Sequence, residues 1–136
     1  MTMRRIATRV HPRFLIALWD QVKGRGGPHH LTGDRSKDIR MGTLRYVCGQ
    51  ARRPPLPEDP AVLAGRLLFG VVVYQPFIDC NHRTGFLGLE AVMDEAGYKL
   101  SIPEDEVAEF LLGIRDIPKD EEDRVIRWVR RSFRQA

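Results

Sequence analysis

One stretch limits the fold of this chain more than any other: Asp59-Pro60, followed by residues 61–74, which read AVLAGRLLFGVVVY. An acid able to cap a helix, with proline at the first helical position, is a helix start. The segment that follows is apolar on nearly every side. A helix without a polar face has to be surrounded by others, so this one is expected at the centre of the domain. Residues 71–73 alone would pass for a buried strand, but the length and the cap favour a helix, which Pro76 ends.

The flanking segments supply the partners such a helix needs. From Pro12 the apolar residues Phe14, Leu15, Leu18, Trp19 and Val22 recur at helical steps, and the helix stops at Gly24, with Gly26-Gly27-Pro28 confirming the break. A second helix is expected over residues 36–49, with Met41, Leu44, Tyr46 and Val47 apolar and Lys37, Asp38 and Arg40 outside. Pro54, Pro55 and Pro57 then require a surface loop or flap, headed by Arg52 and Arg53, which are solvated or face an acidic partner. Past Pro76, Phe86, Leu89, Met93 and Ala96 mark a helix over residues 83–96, closed by Gly97 in the left-handed conformation. Ser101 and Glu104 have capping-box spacing before Val107, Phe110, Leu111 and Ile114. Asp116 and Pro118 are expected to open a last helix with Val125, Ile126, Val129 and Phe133 inward. Its outer face carries Arg127, Arg130, Arg131 and Arg134, a pattern of a solvated face or of one that docks an acidic partner or RNA. Residues 1–11 have no usable periodicity. The expectation is an all-α single domain, 1–136, of about six helices with a short flap.

Composition excludes several classes. Of 136 residues, 43% are hydrophobic and 29% charged, which suits a globular domain with its own core. The net charge of +4 favours an anionic partner only weakly, though a phosphate ligand needs just two or three cations. Cys48 and Cys80 are far apart with no metal-ligand spacing, and the adjacent His29 and His30 have diverging side chains and read as a solvated loop. No apolar run reaches the roughly 18 residues of a membrane span, and the first ten residues lack the apolar centre of a signal peptide, so a cytoplasmic protein is expected.

Between the two most apolar segments lies the polar stretch 75–85, QPFIDCNHRTG. Asp79, Cys80, Asn81, His82, Arg83 and Thr84 bring together a carboxylate, a thiol, an amide, an imidazole, a guanidinium and a hydroxyl where a helix begins. Unpaired N–H groups and the dipole favour an anion there, and Gly85 would allow close approach of a ligand. Asp79 suits magnesium, Arg83 offers a planar fork for phosphate, Asn81 can hold a phosphate oxygen or position the loop, and His82 adds a donor. These parts fit phosphoryl or nucleotidyl transfer. They also admit a structural role, with Asp79 and Asn81 capping the helix and Arg83 pairing with a carboxylate.

The stretch resembles the signature of the Fic/Doc family, usually written His-x-Phe-x-(Asp/Glu)-(Gly/Ala)-Asn-(Gly/Lys)-Arg: Phe77, Asp79, Asn81 and Arg83 stand at the required spacing. The length, the opening helix and the absence of a second motif arginine at Phe86 are closer to the short death-on-curing (Doc) branch than to the longer Fic adenylyltransferases. The resemblance implies a Doc-like toxin of a toxin–antitoxin pair, moving a phosphate, or a nucleoside monophosphate (AMPylation), from ATP or another nucleoside triphosphate to a Ser or Thr hydroxyl of a protein such as elongation factor Tu. It further implies Mg2+ on Asp79, phosphates held by Asn81, His82, Arg83, Thr84 and Gly85, Phe77 as the loop's anchor in the core, and a cognate antitoxin as partner. Neither a membrane nor direct nucleic-acid binding is implied. The flap around residues 54–57 is similar in place to one that holds the target as an added strand. Two positions depart from the signature. Gln75 replaces the histidine base, and an amide orients a hydroxyl but cannot take its proton, which lowers the rate by on the order of 100- to 10,000-fold. His82 replaces lysine or glycine, so phosphate transfer is favoured only modestly over adenylylation. The alternative is an inactive relative that binds a nucleotide or a partner.

Overall fold

The structure is a computed structural model and describes residues 2–25, 31–114 and 116–136. Among them the chain is mostly helical: α1 (Met3–Ala7), α2 (Pro12–Val22), α3 (Arg35–Asp38), α4 (Met41–Ala51), α5 (Pro60–Tyr74), α6 (Asn81–Glu95), α7 (Glu104–Ile114) and α8 (Glu122–Ser132). The apolar segment is α5, and it is central. Asp59 caps it by accepting from the Ala61 N–H at 2.9 Å. α4, α6 and α8 pack around it, with α7 at the margin, and α2 packs on α6 and α4. Leu63, Leu67, Leu68, Val71 and Val72 are fully buried, and a stripe through Val62, Arg66 and Val73 is partly exposed.

Glycines let the helices approach. A Cβ on Gly65 would stand 2.9 Å from the backbone Cα of Ile126 on α8, and one on Gly85 would stand 3.1 Å from Leu68 Cδ1 and 3.3 Å from Val71 Cβ on α5. Neither site has room for a larger residue without some movement of the partner helix.

Several expectations are corrected. The helix foreseen over residues 36–49 is two helices, α3 and α4, because Ile39 leaves the helical path to form an antiparallel bridge with Phe77. The last helix opens at Glu122 rather than near Asp116, and Pro118 lies in the preceding turn. Ser101 makes no capping box: its hydroxyl donates to the Ser132 carbonyl at 2.9 Å, just beyond the end of a short antiparallel sheet. That sheet pairs β1 (Tyr98–Leu100) with β2 (Phe133–Gln135), a small addition to a mostly helical fold that agrees with the expected all-α class. The N-terminal stretch contains α1, whose Ile6 and Ala7 join the core together with Val10. Tyr46, expected to be apolar and inward, is exposed. The turn at Gly26-Gly27-Pro28 and the pair His29 and His30 lie outside the described residues.

Candidate functional site

Stretch 75–85 joins the two helices at the centre of the molecule, α5 and α6. α5 ends where Gln75 turns left-handed (φ 51°, ψ 65°), its N–H still donating to the Val71 carbonyl at 3.1 Å. Residues 76–78 are then laced to a neighbouring segment: Arg40 N–H donates to the Pro76 carbonyl at 2.7 Å, and Ile78 N–H to the Asp38 carbonyl at 2.9 Å. Asp38 is itself buried, and its carboxylate accepts from Thr32 N–H (2.9 Å), Thr32 Oγ1 (2.7 Å) and Gly33 N–H (3.0 Å). Burial works to raise the Asp38 pKa, but these hydrogen bonds outweigh it and hold the carboxyl below its ordinary value.

Phe77 is the anchor. Only 1% exposed, it stacks on Trp19 of α2 with ring centroids 5.1 Å apart and planes 12° apart. Its backbone is held by Asn81 four residues later, whose Oδ1 accepts from Phe77 N–H at 3.1 Å and whose Nδ2 donates to the Phe77 carbonyl at 2.8 Å. Asn81 is buried, so its amide serves the loop rather than reaching outward. Of the two roles its residue type allows, the structure shows the positioning one.

Asp79 also faces inward. Oδ1 accepts from Trp19 Nε1 at 3.0 Å and Oδ2 from Gly24 N–H at 2.9 Å. Cys80 is the second left-handed residue (φ 55°), and its thiol donates to the Val22 carbonyl at 3.3 Å. The loop is thereby sewn to the C-terminal end of α2 by two consecutive side chains. Left-handed backbone in Gln75 and Cys80 costs energy that the surrounding bonds must offset. Among the described residues, no group of three or more His, Cys, Asp or Glu stands together to hold a metal, and Asp79 is a lone carboxylate at this loop.

The outward part is the first turn of α6. His82 is half-buried, Arg83 is exposed, and no acidic residue occupies that turn. Thr84 and Gly85 do not join them, although both were expected at the phosphates. Thr84 is fully buried with its Oγ1 unpartnered among the described residues, and Gly85 faces α5. Gly85 is turned towards Leu68 and Val71, so its small size serves helix packing rather than ligand approach.

Trp19, Gly24 and Asp38 are the residues of this site that the sequence reading did not single out for it. Trp19 carries only the helical periodicity of a core residue, and its indole N–H finds Asp79 across 60 positions of chain. Compared with protein-family models, with curated proteins and with solved structures, the chain finds no match in any of the three.

Proposed function

We propose that stretch 75–85 is the phosphate site of a Fic/Doc-type protein. On this reading the chain is a Doc-like toxin that moves a phosphate, or a nucleoside monophosphate, from a nucleoside triphosphate to a Ser or Thr hydroxyl of a protein such as elongation factor Tu. A cognate antitoxin is its partner. One observation carries the proposal: α6 opens with His82 and Arg83 and without an acid, while Asn81 holds the preceding loop rigid. Cations at the positive end of a helix are unfavourable by themselves, and an incoming anion turns that cost into attraction. Arg83, exposed and permanently charged, meets the phosphate, and backbone N–H groups of the first turn add donors.

Asp79 is compatible with Mg2+ arriving with the triphosphate, since each carboxylate oxygen holds one donor and retains a second lone pair. When bound, the ion would neutralise phosphate charge. Gln75, at the end of α5, occupies the position of the base. Its amide can accept a hydrogen bond from the target hydroxyl and orient it, but leaves the proton in place, so transfer is slow.

A second reading, binding without transfer, is favoured by the same Gln75 and by the engagement of both Asp79 oxygens within the protein. Incubating the native chain and Gln75→His with labelled ATP, Mg2+ and elongation factor Tu separates the two. Label on the target with the variant supports the toxin reading. No transfer by either, with ATP binding lost in Arg83→Ala, leaves the binding reading, and no ATP binding at all overturns both.

A further inference from the structure

A cleft of about 400 Å³ opens between α4, α5 and the turn into α8, and no described residue of stretch 75–85 lines it. One end is aromatic: Tyr46 meets Tyr74 edge-on, with centroids 5.3 Å apart, and Lys119 Nζ lies 4.9 Å over the Tyr74 ring. The other end is ionic, formed by Arg53, Arg66 and Glu122, with Asp120 and Asp123 also on its rim. Glu122 Oε1 is hydrogen-bonded by Arg53 Nη2 and stands 3.9 Å from Arg66 Nε, too far for a hydrogen bond. Arg66 Nε and Nη1 are buried with no hydrogen-bond partner among the described residues. Burial first, and the neighbouring Arg53 second, press the Arg66 guanidinium below its ordinary pKa. Both guanidinium groups turn to Glu122, Asp123 adds only its more distant field, and the deeper guanidinium goes without a close partner. Buried charged donors left unfilled are costly and uncommon.

An anion arriving at Arg53 would resolve the conflict. Arg53 has 37% of its side chain exposed and can turn to the newcomer, and Glu122 then needs to close only the short gap to Arg66. We propose that this cleft binds a small molecule with a carboxylate or phosphate on an aromatic body. The acid group pairs with Arg53 under the field of Lys119, the body lies against Tyr46 and Tyr74, and Glu122 passes to Arg66. A cleft of this size with one aromatic wall and a few converging polar groups is suited to such a ligand. The site is separate from the phosphate site proposed above and does not depend on it.

Phenyl phosphate and benzoate, with benzyl alcohol as the neutral control, test the proposal by amide chemical-shift titration of the labelled full chain. Saturable shifts over residues 46–53 and 119–123 with either acid are expected, and the stronger of the two identifies the acid group. Arg53→Gln and Lys119→Gln, both at accessible positions, should each weaken binding, the first by roughly tenfold or more. The proposal is overturned if neither acid saturates by about 10 mM, if the neutral control binds equally, if Arg53→Gln binds as the native chain does, or if the shifts are confined to residues 81–85.

Discussion

Asn81 grips both polar backbone groups of Phe77, accepting from its N–H at 3.1 Å and donating to its carbonyl at 2.8 Å, inside the buried neck between α5 and α6. Within the turn between two left-handed residues, Gln75 and Cys80, this one amide closes the chain on itself, while the other bonds tie the turn to neighbouring segments. Asn81→Ala leaves a buried donor and a buried acceptor unpaired and should cost about 2–4 kcal/mol. Asn81→Asp retains the acceptor but sets a carboxylate oxygen against the Phe77 carbonyl, so it should be at least as damaging near neutral pH. Urea unfolding checks both, and a loss under about 0.5 kcal/mol for Asn81→Ala would mean that the grip is not needed.

Two close glycine contacts of the central helix pair differ in what they meet. On Gly65 an added Cβ runs into the backbone of Ile126, whereas on Gly85 it meets side-chain atoms of Leu68 and Val71. Overpacking typically costs about 1–3 kcal/mol, and alanine recovers roughly 1 kcal/mol through helix propensity. Gly65→Ala should therefore be the more destabilising, with Gly85→Ala costing about 1 kcal/mol or less, and thermal unfolding of the two variants ranks them.

Acid should loosen the segment that straps the site. The Asp38 carboxyl is held below its ordinary value of 3.8 by its bonds from Thr32 and Gly33, against the opposing effect of burial. A group with a lowered native pKa stabilises the fold above its unfolded pKa, and that contribution is lost as pH falls from there through the native value. Asp20 behaves alike, its carboxyl lowered chiefly by Arg35 and then by Lys23. Stability should thus fall below about pH 4, and Asp38→Asn should flatten that fall while lowering stability at pH 7. An unchanged pH profile in the variant would dismiss the role of this carboxylate.

The two thiols should react at different rates. Cys48 is fully buried, and burial pushes its pKa up to about 11, whereas Cys80 is only half-buried at the end of α2. Near pH 8 a disulfide reagent should label Cys80 first and Cys48 only after unfolding, since the thiolate is the reacting species. Equal rates in the native protein would contradict the burial of Cys48.

The helical class was legible because its signals are local. Asp59 and Pro60 cap α5, Gly97 closes the turn after α6 in the left-handed conformation (φ 88°), and the apolar spacing in α2, α5, α6, α7 and α8 repeats within a few residues of each position. The polar character of 75–85 was equally plain, as was its position at a helix N-terminus, which needs only Pro76 and the apolar residues that follow. What each polar group does was not legible, because its partner lies far away in the chain. Asp79 meets Trp19 and Gly24, Phe77 bridges to Ile39, and Ser101 bonds Ser132. Thr84 and Gly85 show the same limit in reverse: small residues carry little hydropathy, so only the approach of α5 reveals that they face the core. Periodicity and caps specify where a backbone coils, since those forces act over one or two turns. Which side chains are spent on holding the structure and which remain for a ligand is settled by contacts between α2, α5 and α6 that exist only once the chain has closed around its apolar helix.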